Sequence, residues 1–266
     1  MPEGHTIHRL ARDIGRDLAG SAVSASSPQG RFADGAAELD GSVLERMEAH
    51  GKHLFGWFDD AVLHVHLGLI GKWRPRDAVE DFVGEIRLRI AGAEKAWDLS
   101  GPMTCAVVTP ERHDEVTAEL GPDPLRRDGR ADAFVEGLAR RRTALGTALL
   151  DQSLVAGIGN VYRAELAFLC GIHPATPANR IDTDEARALW DEMSRLLRIG
   201  LKLNRIVTVD PAEVGAPSHA KVTSGDRLYV YKRAGEPCRR CGTPIERIEL
   251  AGRKTWFCPT DQPEHR

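Results

Sequence analysis

Apolar residues fall at Ile7, Leu10, Ala11, Ile14 and Leu18, in steps of three and four. That is the spacing of one face of an α-helix, so residues 3–19 are predicted to form an amphipathic helix beginning at the very terminus. From Ala22 to about Val108 the pattern shortens to apolar runs punctuated by glycine: Leu54–Phe58, Ala61–Leu67, Gly84–Ile90 and Ala96–Leu99. Such runs predict the strands of an antiparallel sandwich or barrel. Gly121-Pro122-Asp123-Pro124 then breaks the chain and marks the end of that region. Beyond Arg130 the period is helical again, with predicted helices at Ala133–Arg140, Leu145–Gln152, Asn160–Leu169 and Asp184–Leu201. Val209–Gly225, rich in Pro, Gly and Ser, reads as a linker or mobile loop. Leu228–Gln262 reads as a compact cysteine-bearing module.

A length of 266 residues suits two modest domains plus an appendage. No apolar run approaches the roughly 20 residues a membrane span needs. Glu3, His5, His8, Arg9 and Arg12 interrupt any hydrophobic stretch that could act as a signal peptide. The five cysteines therefore read as thiols or metal ligands rather than a disulfide framework, and the expected compartment is the cytosol.

The net charge of −3 argues against a uniformly basic protein but leaves nucleic-acid binding open, because that depends on where the charge sits. Asp59, Asp60, Glu80, Asp81, Glu85 and Glu94 crowd the first third. Arg140, Arg141, Arg142 and Arg163 surround a glycine-rich interior run, and Lys232, Arg233, Arg239, Arg240, Arg253 and Lys254 crowd the C-terminal end. Each group also reads as a solvated face.

Cys238-x-x-Cys241, followed by Cys258, has the spacing of a zinc ribbon. Where a fourth cysteine would complete the second turn stands Asp261, whose carboxylate oxygen is a chemically sound zinc ligand. His265 is the other candidate for that position. The alternative is a hairpin without zinc; the metal is favoured because so small a module otherwise lacks a core to fold around. Thr255, Trp256 and Phe257 alternate like a hairpin strand and put Arg253 and Lys254 near its tip, which either enters a DNA groove or is a solvated turn.

In the run Leu149 to Tyr162, Gly157 and Gly159 allow a close turn and Asn160 stands at a new helix start. Helix N-terminal N–H groups form an anion site, and an Asn cap adds a donor for a phosphate; an Asn that caps only its own helix is the plainer alternative. Pro2 is by itself a helix-start proline. With Met1 removed it would instead carry a secondary α-amine, whose pKa near 8 leaves far more neutral nucleophile at pH 7 than a lysine has. Attack of that amine on C1′ of a sugar gives an iminium that acidifies the C2′ proton and permits strand-breaking elimination. Glu3 adjoins it as a general acid for the ring oxygen. Gly51-Lys52-His53-Leu54-Phe55 offers a lysine between two strands, able to bind a phosphate or assist proton transfer.

Together these pieces resemble the formamidopyrimidine-DNA glycosylase/endonuclease VIII family over essentially the whole chain. The matching stretches are Met1-Pro2-Glu3-Gly4, Gly51-Lys52-His53-Leu54, His66-Leu67-Gly68, Gly121-Pro122-Asp123-Pro124-Leu125, the run through Asn160, and Tyr231-x-Arg233-x-Gly235-Glu236-Pro237-Cys238. The resemblance implies an α+β protein of two lobes, built from a β-sandwich domain with an N-terminal helix (1–125), a helix–two-turn–helix domain (131–205), a linker (206–227) and a zinc-finger-like hairpin (228–266). It implies Pro2 as Schiff-base nucleophile and Glu3 as acid/base, with Lys52, Asn160, Arg253 and Tyr231 on phosphates. Leu69 would be the apolar wedge that fills the gap left by a flipped base. Cys238, Cys241, Cys258 and Asp261 would hold a structural Zn²⁺. The partner implied is damaged double-stranded DNA, met by a cytoplasmic, nucleoid-associated monomer with no membrane contact.

Within the family, Thr6 stands where an acid is frequent, and Gly101-Pro102-Met103-Thr104-Cys105 lacks the Arg-x-Phe-type pair of the formamidopyrimidine enzymes. With the His5-Thr6-Ile7-His8 start this resembles the endonuclease VIII branch, although His66-Leu67-Gly68 is more like the other. The expected activity is that of a bifunctional base-excision-repair glycosylase and abasic-site lyase that favours oxidised pyrimidines and proceeds by β,δ-elimination. An oxidised-purine glycosylase and a non-catalytic damaged-DNA-binding protein are the alternatives.

Overall fold

The helical spacing at the amino end produces α1 (Gly4–Leu18), which buries Ile7, Ala11, Ile14 and Leu18 along one face. The computed structural model describes residues 2–59 and 61–264. The chain divides into two compact units, Met1–Glu119 and Leu120–Arg266.

In the first unit α1 is followed by β1 (Ser21–Ala22), β2 (Ser24–Ser26), α2 (Ala33–Leu39), β3 (Val43–Leu44), β4 (Arg46–His50), β5 (His53–Phe58) and β6 (Ala61–His66). Then come β7 (Lys72–Asp77), β8 (Leu88–Ala91), β9 (Lys95–Ser100), β10 (Thr104–Val108) and α3 (Pro110–Ala118). Two antiparallel four-stranded sheets run in the orders β10-β6-β5-β4 and β2-β8-β9-β7, and β1 pairs β3 in a short ribbon. One core cluster draws Leu54, Leu63 and Val65 from the first sheet, Leu88, Ile90 and Leu99 from the second, and Ile7 and Ile14 from α1. Side chains alternate along each strand. Thus Leu54 and Phe58 join this core, while Phe55 and Trp57 meet His113 of α3 on the opposite face, at ring distances of 4.6 and 4.8 Å.

Two departures from the strand expectations have local causes. The run expected as Gly84–Ile90 is a strand only from Leu88; Gly84 turns the chain at φ +82° and the residues between make isolated backbone bonds, Gln29 N–H to the Ile86 carbonyl and Arg87 N–H to the Leu99 carbonyl. Strand β7 gave no apolar signal: it is an edge strand with Lys72 and Arg74 exposed and Trp73 as its buried residue, and Pro75, opposite Trp97 within the ladder, is tolerated because the strand has a neighbour on one side only.

The second unit contains α4 (Ala131–Ala139), α5 (Leu145–Ala148), α6 (Asn160–Leu169) and α7 (Thr183–Leu203), then the hairpin of β11 (Glu246–Leu250) and β12 (Arg253–Phe257). α7 opens with a capping box in which the Asp182 carboxylate accepts the Glu185 amide at 2.8 Å and Glu185 reaches back to the Asp182 amide. The helix expected at Leu145–Gln152 stops after Ala148. Residues 149–159 form turns instead, held by Gln152, whose amide donates to the Leu150 and Ile158 carbonyls and accepts from Gly157 N–H. The segment expected as a linker carries only short 3₁₀ turns, yet Val207 and Val209 are buried and Arg205 donates to the carbonyls of His219, Ala220 and Val222. Sheets in the first unit and helices with a hairpin in the second give the α+β class expected. Among the described residues, no helix is long and apolar enough to cross a membrane.

Candidate functional site

At the terminus, Pro2 is half-buried and Glu3 occupies the N-cap of α1 with extended backbone (φ −123°, ψ 179°). Its carbonyl accepts the Thr6 amide at 2.9 Å, which starts the helix. Its side chain is fully buried and does not cap the helix. Burial pushes the next ring, His5, down to about 4, so it is neutral at pH 7. Met1 lies outside the described residues.

Lys52 sits in the two-residue turn joining β4 to β5, with Gly51 at φ +57° in the position where a hairpin turn needs glycine. The adjacent sheet face carries three histidines. Nδ1 of His53 lies 2.9 Å from Nε2 of His64, and the His66 ring is 4.9 Å from that of His53. Burial lowers His53 to about 3 and His64 to about 4; it lowers His66 as well, with the Lys52 charge adding to the effect. Nδ1 of His66 accepts the Gly68 amide at 3.1 Å, so the neutral ring holds its proton on Nε2 and offers a donor there. Leu69 follows in a turn closed by Gly71 N–H to the Leu67 carbonyl, and it is 67% exposed. Ile70 and Met103 stand equally proud, at 76% and 70%, and Met103 packs against Gly68. Sequence reasoning singled out Leu69 alone. The adjacency of two large apolar residues between Gly68 and Gly71 was the available signal for Ile70.

In the second unit, Asn160 is not the helix cap that the sequence suggested. Gly159 is the N-cap, and Asn160 is the first residue of α6, with its Nδ2 donating to the Lys254 carbonyl at 3.2 Å. The side chain therefore ties the helix start to the hairpin. Arg163, counted above with a basic face, is buried: it donates to the carbonyls of Gly146, Arg253 and Lys254. The reason is geometric, since Arg163 lies one turn beyond Asn160 and faces the same hairpin. Glu165 is also fully buried. Its carboxylate accepts the amides of Tyr229, Val230 and Tyr231 at 2.8, 2.9 and 2.8 Å, and the Thr208 hydroxyl as well. The Tyr231 ring then meets Trp256 of β12 edge-on at 4.7 Å. Asn160, Tyr231 and Arg253 are thus brought together around α6, and Arg163 and Glu165 are the positioning residues that the sequence did not reveal.

Cys238, Cys241, Cys258 and Asp261 converge, with all four ligand atoms within 4.8 Å of one another. Cys241 Sγ lies 3.4 Å from Cys258 Sγ, and Cys238 Sγ lies 3.0 Å from Asp261 Oδ2. A tetrahedral zinc with three sulfurs and one oxygen needs edges of about 3.6–3.8 Å, so this donor set fits a structural Zn²⁺ with Asp261 as fourth ligand. The amides of Arg240 and Asp261 point at Cys238 and Cys258 Sγ, at 3.4 and 3.5 Å, favouring thiolates. His265 lies outside the described residues. The module does not rely on the metal alone for a core, because Tyr229, Val230, Ile245 and Trp256 pack with Ala164 and Phe168 of α6.

These features recur in known proteins. Three family models match: the formamidopyrimidine-DNA glycosylase N-terminal domain over residues 1–131, the formamidopyrimidine-DNA glycosylase H2TH domain over 120–211, and the zinc finger found in FPG and IleRS over 235–263. The chain belongs to the formamidopyrimidine-DNA glycosylase/endonuclease VIII family of DNA glycosylase/lyases. It is 45% identical to endonuclease 8 1 of Mycobacterium tuberculosis over 269 residues, covering 98% of this chain and all of that one. It is 35% identical to the formamidopyrimidine-DNA glycosylase of Methylococcus capsulatus over 282 residues, with 98% and 100% covered. The Lactococcus lactis Fpg solved with N7-benzyl-Fapy-dG DNA superposes with a TM-score of 0.82 at 26% identity, covering 99% of this chain and 100% of that one.

Proposed function

We propose that this chain is a bifunctional glycosylase/abasic-site lyase of base excision repair that acts as a monomer on damaged double-stranded DNA, with oxidised pyrimidines preferred. The observation that carries the reading is the amino end: a buried carboxylate, Glu3, directly follows Pro2 and is not used to cap its own helix. Once Met1 is removed, the Pro2 nitrogen attacks C1′ and the bond from C1′ to the base breaks. Glu3 protonates the ring oxygen, which opens the sugar to an iminium. Loss of the C2′ proton then expels the 3′ phosphate, and a second elimination expels the 5′ phosphate. Lys52, Asn160, Tyr231 and Arg253 hold backbone phosphates, and Leu69 fills the space the damaged base vacates. The 45% identity to endonuclease 8 1 supports the endonuclease VIII branch, for which the sequence resemblance implies oxidised pyrimidines.

Borohydride added during reaction with abasic-site DNA should trap a covalent complex with the Met1-processed protein. Trapping that survives an added N-terminal residue would refute the proline mechanism. An oxidised-purine specificity is the second reading, favoured by the relatives named formamidopyrimidine-DNA glycosylase at 31–35% identity. Faster excision of 8-oxoguanine opposite cytosine than of thymine glycol would select it.

A further inference from the structure

Of the ten arginines in the first 119 residues, seven hold a carboxylate oxygen at 2.6–3.5 Å. The three for which the described residues supply no such carboxylate, Arg31, Arg74 and Arg87, line a single cleft of about 370 Å³. Arg74 projects from β7, Arg87 lies just ahead of β8, and Arg31 comes from the turn between β2 and α2. That turn is fixed to the sheet by Ser27 Oγ donating to the Arg87 carbonyl at 2.8 Å and by Gln29 N–H donating to the Ile86 carbonyl at 3.1 Å. The Gln29 side chain accepts from Arg87 Nε at 2.8 Å and donates to Glu85 at 2.8 Å. Glu85, the one carboxylate among the described lining residues, is therefore held at one remove from the guanidinium, and among the described residues no hydrogen bond engages the terminal amino groups of Arg87. Ser100 and Ile70, the latter a neighbour of the exposed Leu69, also line it.

Three arginines and one carboxylate lining the same cleft, in a unit that pairs its other arginines, make a focus of positive potential. All three are arginines, whose planar fork of donors matches a phosphate oxygen pair better than an ammonium does. The volume is at the low end for a ligand pocket, enough for a phosphate with part of its sugar.

We propose that this cleft binds a backbone phosphodiester of DNA beside the Leu69–Ile70 turn, a contact additional to those of Lys52, Asn160, Tyr231 and Arg253; it rests on the DNA-repair reading above. The first test measures affinity for a duplex bearing a tetrahydrofuran abasic analogue across a salt series. The Arg31→Gln/Arg74→Gln protein should show a log–log salt slope smaller by about 1.8, or about 0.9 per lost contact. Arg16→Gln/Arg112→Gln, which removes two carboxylate-paired arginines, should keep the wild-type slope, and borohydride trapping at saturating protein should persist in both. The second test labels the wild-type protein with phenylglyoxal and maps the adducts by mass spectrometry, with the duplex, with inorganic phosphate at matched ionic strength, or with neither.

Protection of Arg31 and Arg74 by the duplex supports the proposal, and added protection by phosphate identifies phosphate as the group gripped. Protection by phosphate alone, or by neither, overturns it. An unchanged slope with intact trapping refutes the cleft and leaves the glycosylase reading standing. Absent trapping in the wild type would refute that reading, while the phosphate arm would still test the cleft.

Discussion

Replacing Glu165 by glutamine keeps the shape of a buried side chain and exchanges one oxygen for an amino group. The consequence can be worked from its four donors. If the amino group takes the place of Oε1, the amides of Val230 and Tyr231 both lose their acceptor. If it takes the place of Oε2, only the Tyr229 amide is orphaned, because the Thr208 hydroxyl can rotate to accept instead. The protein will adopt the second arrangement. One orphaned buried amide costs about 1–3 kcal/mol, and the two remaining bonds lose their charge assistance, so about 3 kcal/mol is expected. That energy falls on the segment that carries Tyr231 and, through the Tyr231–Trp256 contact, on the hairpin.

Hydrogen–deuterium exchange of a peptide covering residues 228–233 reads this directly. At 1.4 kcal/mol per tenfold, local opening and therefore exchange should accelerate about 100-fold, while peptides from β5 and β6 should not change. Affinity for an abasic-analogue duplex should fall in parallel. Exchange at 229–231 within threefold of wild type would show that the carboxylate does not hold this segment, and the reasoning would fail.

Two other outcomes follow from the geometry. Asp261→Ala should lower zinc affinity at least tenfold, the loss expected even of an outer-sphere partner; a chromogenic chelator titration in which variant and wild type release zinc at the same chelator concentration would remove Asp261 from the ligand set. Acidification should destabilise the first unit through its buried histidines. His64 has a folded pKa of about 4, below the roughly 6.5 of an unfolded histidine, so the unfolded chain gains protons first and stability present above pH 6.5 is lost as pH falls toward 4. For His64 alone the loss at pH 5 is about 2 kcal/mol, and His64→Phe, which preserves the stacking on Phe55, should flatten the pH dependence of the denaturation midpoint by about that amount. An identical pH profile in the variant would count against it.

What the sequence made legible is what has a period or a fixed spacing. α1, α6 and α7 were readable because each buries one face, and the zinc ligands because knuckle spacing is set by the turn that grips the metal. β7 was not, since an edge strand with Lys72 and Arg74 exposed carries no apolar alternation. The same limit hid Arg163 and Glu165. A charged residue on a helix ordinarily faces water, and these two are buried only because main-chain groups about 90 and about 65 residues further along meet them. The expected capping role of Asn160 is the part the structure corrects, since capping is a local pattern and the partner it shows, the Lys254 carbonyl, is distant in sequence.

That pattern also explains how a hairpin tip can hold an exposed arginine in place. Arg163 bonds the main-chain carbonyls of both Arg253 and Lys254, and Asn160 bonds the second of them. Main-chain anchoring fixes where the tip lies while leaving the side chains of Arg253 and Lys254 exposed. A salt bridge to either side chain would have held the tip equally well but consumed the charge that a phosphate requires. On the proposed reading, in which Arg253 grips a backbone phosphate, the buried cation on α6 would act through the backbone it positions, and so Arg163→Met should mimic loss of Arg253 in affinity for an abasic-analogue duplex although Arg163 itself is buried.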